Sequence, residues 1–333
     1  MARKKADTAE DQGAWNRYWQ FDRIASCMDG PSRDNYDQRT AAGWRTFFAS
    51  LAGPAKILDL CTGNGAIALI ATQVGREEGK GFHVVAVDQA DIDPPAFVTR
   101  HADDLRSIEF RSGTRAEELP FQDGEFGAVV SQFGVEYSDL QESVREALRV
   151  LLRGGSFRFV IHAAEGLVRS EAQLSIDDAD YLLEEIKLPA LAARAIQAVA
   201  LVERNPDPEQ DAFGKADAAF ADFGGALEQT ADYIAVASDK EMVQNVAAVL
   251  LDTYIKRGYF DLPELLAKVE DVRAELTAHR ARSKALVEAA LTVEAAESLA
   301  DSLSSLGATG AAVTPLHDAD GALIAYVLEG KKA

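Results

Sequence analysis

The feature that most constrains this chain is an alternation. Between Ala55 and His162, short apolar runs rich in β-branched residues trade places with helix-like stretches. Lys56–Leu60 (KILDL), Phe82–Asp88 (FHVVAVD), Ile108–Arg111, Gly127–Gln132 (GAVVSQ) and Ser156–His162 (SFRFVIH) read as strands. Ala66–Val74, Pro95–Leu105 and Leu140–Leu152 read as helices, the last stopped by Gly154-Gly155. Apolar strands separated by helical crossovers are the pattern of a parallel sheet covered on both faces. Near the C-terminus Val293–Leu306 reads as a helix. Ala311–Leu316 and Ala322–Glu329 then read as strands, joined by a tight turn over Asp318–Gly321 into an antiparallel hairpin. The expected fold class is α/β: a doubly wound, mostly parallel seven-stranded sheet with an antiparallel C-terminal hairpin.

The alternation is interrupted. From Glu165 to Leu291 only helical patterns occur. A capping-box-like start at Ser175-Ile176-Asp177-Asp178 opens a helix running to Glu203, and Asn205–Pro208 breaks it. Asp211–Phe223 follows, weakened by Gly224-Gly225. Ser238-Asp239-Lys240-Glu241 opens a helix to Arg257, and Asp261 with Pro263 opens another to Leu291. The N-terminal region is rich in aromatics: Trp15, Tyr18, Trp19, Phe21, Tyr36, Trp44, Phe47 and Phe48. Trp15, Tyr18 and Phe21 share a face at helical spacing, which fits a packed helix or a lid over a pocket. The domain expectation is an aromatic helical lid over 1–50 and an α/β core over 51–164. An inserted all-helical segment covers 165–291, and 292–333 returns to the core. The insertion suits either a cap that encloses a small or lipophilic ligand or a bundle for homo-oligomerisation or partner binding.

The 333 residues carry a formal net charge of -20, which repels phosphate backbones and speaks against nucleic acid as a partner. No apolar stretch is long enough to span a bilayer, so no membrane insertion is expected. MARKKADTAEDQ has no apolar run after its basic residues and is not a secretory signal. The two cysteines, Cys27 and Cys61, make no disulfide framework, so a cytoplasmic location is expected. The five histidines are scattered and no Cys/His cluster has metal-ligand spacing, so no metal site is expected.

Two motifs carry chemistry. Asp59-Leu60-Cys61-Thr62-Gly63-Asn64-Gly65 is a strand-to-helix turn whose glycines let a ligand approach bare backbone, with helix N–H groups pointing at it. Gly63-Asn64-Gly65-Ala66-Ile67-Ala68 also satisfies the dinucleotide pattern G-x-G-x-x-A. Asp88 ends the second strand, where doubly wound nucleotide-binding folds place an acid that accepts both ribose hydroxyls. Together with Ala116–Phe121 (AEELPF), Asp123–Val130 and Ala147–Gly155 (ALRVLLRGG), these motifs make residues 53–164 and 292–333 resemble the class I S-adenosylmethionine-dependent methyltransferases. The insertion lies outside that resemblance.

The resemblance implies S-adenosylmethionine as cofactor, with 51–164 as its binding core. It implies Asp59 near the methionine ammonium, with Cys61, Thr62, Gly63 and Gly65 passing the methionine and ribose. Asp88 then holds the ribose, Gln89 flanks the adenine, and Ala116 offers its N–H to the adenine with Glu117 beside it. Gln132 and Phe133 line the methionine side. Cys61 replaces the first glycine of the family loop. Arg115 stands where many relatives carry an acid for the adenine amino group, a bond that arginine cannot accept. Strand-end residues His162, Glu136 and Tyr137 are the catalytic candidates, as general base or acceptor-orienting groups, for methyl transfer to a small organic acceptor by in-line displacement. A non-catalytic S-adenosylmethionine-binding or partner-docking protein and an NAD-type oxidoreductase are the competing functional readings.

Overall fold

The computed structural model describes residues 9–26, 35–36 and 38–333. Cys27 lies outside them. The chain divides into two compact units, Met1–Ser170 with Ala285–Ala333, and Glu171–Lys284. In chain order the first unit begins with α1 (Ala9–Trp19), α2 (Gln38–Ser50), β1 (Lys56–Leu60), α3 (Ala66–Glu77) and β2 (His83–Val87). It continues with α4 (Pro94–Phe97), α5 (Ala102–Arg106), β3 (Glu109–Arg111), β4 (Phe126–Gln132), α6 (Leu140–Val150) and β5 (Leu151–His162). Then come α7 (Leu167–Asp180), α8 (Leu188–Glu203), α9 (Gln210–Tyr233), α10 (Lys240–Ile255) and α11 (Leu262–Ala289). The chain closes with α12 (Val293–Ser305), β6 (Ala308–His317) and β7 (Leu323–Lys332).

The seven strands form one sheet in the order β3-β2-β1-β4-β5-β7-β6. β1 to β5 run parallel, while β7 pairs antiparallel with both β5 and β6. The fold class is therefore the one the sequence implies. Strand order reverses between β1 and β4, so the connections after these two strands diverge and leave a crevice at their carboxyl ends. Leu58, Leu60, Val85, Val87, Val129, Phe157, Phe159 and Ile161 pack in one core with Val144 and Leu148 of α6 and Leu299 and Leu303 of α12. Each such side chain contributes roughly 1.5–3 kcal/mol by leaving water, enough in sum to hold the crevice rigid.

Several local expectations are corrected. α6 ends at Val150, and Gly154-Gly155 lie inside β5 rather than stopping a helix. Phe126 pairs with Leu151 and pairing resumes at Ala128 with Ser156, so the glycines accommodate a bulge. A Cβ at Gly155 would fall 2.8–3.0 Å from Leu151, Leu152 and Gly127. The helix expected over Pro95–Leu105 is two short ones, separated around the extended Val98. Phe21 lies beyond the end of α1 and is 45% exposed, whereas Trp19 is the buried aromatic at 7%.

In the helical unit, Ser175 is interior to α7, and its hydroxyl lies 2.5 Å from His279 Nε2 instead of capping. The expected continuous helix to Glu203 is broken by a π-turn at Tyr181–Glu185 and by Lys187 in the left-handed region at φ 55. α9 runs through Gly224-Gly225, with Phe223 and Ala226 on either side in the core. Packing outweighs the modest helix penalty of glycine there. Asp239, not Ser238, caps α10 by accepting from Met242 N–H at 2.8 Å. This unit has its own core, in which Ala192, Ala195 and Ile196 of α8 pack with Ala219, Phe223 and Ala226 of α9. Among the described residues no helix is long and apolar enough to cross a membrane.

Candidate functional site

β1 delivers Asp59 to the crevice almost fully buried, at 1% exposure. Its Oδ2 accepts from Thr62 Oγ1 at 2.6 Å and from the Ala68 N–H of α3 at 3.2 Å. Burial is the main force on this group and Asp88 adds to it, while the two donors oppose; the result is a pKa raised to about 7. After Leu60 the chain turns sharply through Cys61 (φ 53), Gly63 (φ 54) and Gly65 (φ 87). A non-glycine residue held at positive φ is uncommon and marks a site under constraint. Gly65 caps α3, and its own N–H donates to Thr62 O at 2.9 Å.

Asp88 is tied into the same turn. Its Oδ2 accepts the Gly63 N–H and its Oδ1 the Ala90 N–H, both at 2.8 Å. Gln89 adds its backbone N–H; burial still outweighs these donors, and the pKa is raised. Across the crevice, Gln132 and Phe133 leave β4, Phe133 at φ 53. The next residue, Gly134, approaches the turn so closely that a Cβ there would fall 2.4 Å from the Cys61 Cβ. Only glycine fits. Trp44, a donor only, bonds Gln132 Oε1. That fixes the amide, leaving the buried Nε2 with no hydrogen-bond partner among the described residues.

These elements border a small open cleft, lined by Asp59, Cys61, Thr62, Gln132 and Phe133 together with Trp19, Ile24, Ser26, Tyr36, Ala66 and Ile67. Five of the expected cofactor residues thus meet at one cleft, and Gly63 and Asp88 join them through the Asp59–Asp88 side of the turn. Ala116 is buried in the segment before β4. Glu117 accepts the Asp139 N–H at 2.9 Å and pairs with Arg115 at 3.3 Å; neither Ala116 nor Glu117 lines the cleft. Trp19, Ile24, Ser26 and Tyr36 were not among the expected site residues. The aromatic density of the N-terminal region was their one signal, and nothing in it singled out Trp19.

The catalytic candidates also come together, but behind the cleft wall. His162 and Glu136 have fully buried side chains, with His162 Nδ1 2.7 Å from Glu136 Oε1, which also accepts the His162 backbone N–H at 3.0 Å. Phe133 stacks on the imidazole at a centroid distance of 4.2 Å, and Tyr137 meets it edge-on at 6.0 Å. Phe133, rather than His162, faces the cleft.

Burial raises the Cys61 thiol pKa well above its usual value, and Asp88, Glu136, Glu117 and Asp59 all push it further. The turn thus sits in a negative field from four carboxylates. That field suits a ligand bearing an ammonium and a sulfonium, and repels a pyrophosphate. The Gln132 donor suits the ligand's carboxylate. No group of His, Cys, Asp and Glu with metal-ligating geometry occurs among the described residues.

Residues 37–168 match the model of the ubiE/COQ5 methyltransferase family. Over these residues the α/β unit is similar to S-adenosylmethionine-dependent methyltransferases. That likeness implies S-adenosylmethionine as the cofactor, and the donor set just described fits it. The chain is 37% identical over 117 residues to the demethylmenaquinone methyltransferase of Thermus thermophilus, covering 34% of this chain and 50% of the relative. It is 32% identical over 146 residues to the chloroplastic 2-phytyl-1,4-beta-naphthoquinone methyltransferase of Arabidopsis thaliana, covering 40% and 52%. It is 36% identical over 106 residues to the ubiquinone/menaquinone biosynthesis C-methyltransferase UbiE of Methylobacterium nodulans, covering 31% and 40%. The chain spans about half the length of the curated relatives it matches. The family match ends before the helical unit begins.

Proposed function

We propose that the protein methylates a lipophilic aromatic acceptor of the quinol type, using S-adenosylmethionine. The observation that carries this reading is the cleft at the switch point, where the buried Asp59 and the turn at Cys61 and Thr62 share the lining with the aromatic side chains of Phe133 and Tyr36. The names of two relatives, a demethylmenaquinone methyltransferase and a 2-phytyl-1,4-beta-naphthoquinone methyltransferase, support the acceptor class. Tyr36 and Phe133 supply flat apolar surface suited to such a ring.

When bound, the cofactor supplies an activated methyl group. That methyl would pass to the acceptor's nucleophilic atom, with the cofactor leaving as the neutral thioether and the acceptor's proton released to water. The protein's task is alignment, which can supply much of the acceleration for a displacement with so good a leaving group. Asp59 and Asp88 fix the cofactor's two ends, and Gln132 Nε2 fixes its carboxylate. For His162, Glu136 and Tyr137 we propose a positioning role: the buried pair anchors the ring on which Phe133 stacks. Phe133 lies between the imidazole and the cleft, so the pair shapes the acceptor wall.

Calorimetry with S-adenosylmethionine, S-adenosylhomocysteine and NAD, followed by transfer of labelled methyl to a demethylated naphthoquinol, tests the reading. Binding of the adenosyl ligands with turnover supports it. Binding without turnover on any aromatic acceptor favours a non-catalytic cofactor-binding protein, and binding of NAD alone overturns both. The positioning role is tested separately. His162→Phe, which keeps the stack but loses the hydrogen bond to Glu136, should lower kcat while leaving the pH profile unmoved. A lost acidic limb in that profile would make His162 the base instead.

A further inference from the structure

The ribose side of the cradle is filled by protein. A Cβ at Gly63 would fall 2.3–2.6 Å from three atoms of the Trp19 indole, so the ring lies against the bare backbone that the turn presents. Trp19 is nearly buried, and it clusters with Ala90 and Ile92, just past Asp88, and with Trp15, Tyr18 and Phe110. Ligands of doubly wound sheets lie between the glycine turn and the acid that ends the second strand. The indole occupies that interval. The cleft itself is lined from the methionine side only, with none of Asp88–Ile92 on its wall.

Latches hold this arrangement. Asn64, between the two glycines of the turn, donates its Nδ2 hydrogens to Trp19 O at 3.0 Å and Arg23 O at 2.8 Å. The Asp91 N–H donates to Asn16 Oδ1 at 2.9 Å. The Asp22 carboxylate accepts from Thr99 N–H at 3.1 Å and from its hydroxyl at 2.7 Å. Every latch joins α1 or the segment after it to the edge where the ligand belongs. Each is a neutral or exposed hydrogen bond, individually weak and replaceable by water.

We propose that Trp19 is a plug: it and S-adenosylmethionine compete for the ribose and adenine side of the cradle, and cofactor binding displaces it. The proposal rests on the cofactor reading above. A plug of this kind lowers the apparent affinity by the fraction of time it is open. The Asn64 latch couples its release to the loop that receives the ligand.

S-adenosylhomocysteine binding by calorimetry to the full chain, Trp19→Phe and Trp19→Ala decides it. The expected result is tighter binding in Trp19→Ala, by about tenfold for a plug open roughly a tenth of the time, with Trp19→Phe between. Weaker binding in Trp19→Ala would make the indole a wall of the bound cofactor, and unchanged binding would place it outside the ligand's space; either overturns the plug. Fluorine NMR of the unsubstituted chain labelled with 5-fluorotryptophan needs no destabilising change. The Trp19 resonance should acquire a solvent isotope shift on saturation with ligand, and a resonance that stays shielded overturns displacement. Failure of the unsubstituted chain and both variants to bind would strike the cofactor reading itself. Binding without change in the variants would strike the plug alone.

Discussion

The two units treat their buried carboxylates in opposite ways. In the helical unit, Asp178 is 2% exposed and fully answered: Oδ1 accepts the Tyr233 hydroxyl at 2.7 Å, and Oδ2 the N–H groups of Ser238 and Asp239 at 3.0 and 2.8 Å. It ties the end of α9 and the start of α10 to α7. In the α/β unit, Asp59 has a strongly raised pKa despite two donors. Glu136 Oε2 is buried with no hydrogen-bond partner among the described residues. Asp178 ties helices together, whereas Asp59 and Glu136 keep a raised pKa or an unanswered oxygen, and Asp88, though it accepts three backbone N–H groups, ends the second strand where such folds hold a ribose. Removing members of each set should therefore have separable consequences.

The largest expected effect is on ligand binding. Asp88→Ala removes the acceptor for two ribose hydroxyls and one anchor of the glycine turn. Two charge-assisted hydrogen bonds at roughly 1.5–3 kcal/mol each correspond to a loss of at least about 100-fold in S-adenosylhomocysteine affinity by calorimetry. The circular dichroism spectrum should not change, because the sheet core does not depend on this side chain. Unchanged affinity would break the contrast, since Asp88 would then be as structural as Asp178.

Asp178→Ala should do the reverse. Three donors lose their partner at once, and two of them are backbone N–H groups at the start of α10. Each unanswered buried donor costs about 1–3 kcal/mol, less where water replaces the carboxylate, so a net loss of about 2–3 kcal/mol is expected. Chemical denaturation followed by hydrogen exchange should place that loss in residues 171–284, with S-adenosylhomocysteine affinity retained. If affinity falls in parallel, the helical unit is required for cofactor binding and the division of labour fails.

The same contrast explains what the sequence made legible. Strands β1, β2 and β4 were plain because parallel strands buried on both faces are written as continuous apolar runs. The turn from Asp59 to Gly65 was plain because bare backbone and positive φ restrict residue choice over consecutive positions. Gly154-Gly155 misled because a glycine pair serves a β-bulge as well as a helix stop, and only the register of β5 against β4 distinguishes them. Ser175 misled because a Ser-x-x-Asp spacing fits a cap wherever it falls, while its actual partner, His279, is 104 residues away. Trp19 was invisible as a site residue for a related reason. An aromatic at helical spacing fits a packed face, and its contact with Gly63 depends on a tertiary approach that no local pattern records.

The smallest expected effect is a titration, and it sharpens the comparison most. The Asp59 carboxyl, about 3.8 in a free chain, stands at about 7 in the fold. The native state therefore holds a proton that the unfolded chain releases. This contribution to stability is complete below pH 3.8 and is lost as pH rises through 7. A cationic ligand works against that trend, because it binds the ionised form and must expel the proton where one is present. For a site with pKa about 7 that binds only when ionised, affinity rises about tenfold between pH 6 and pH 8, with the excess proton release seen near pH 6. Calorimetry of S-adenosylmethionine in two buffers of different ionisation enthalpy measures both quantities. Asp59→Asn should flatten the profile, and a profile that keeps its slope in that variant would move the titrating group elsewhere in the ring of carboxylates. No such linkage is expected from Asp178, whose three donors already answer it and whose unit contains none of the residues that line the cleft.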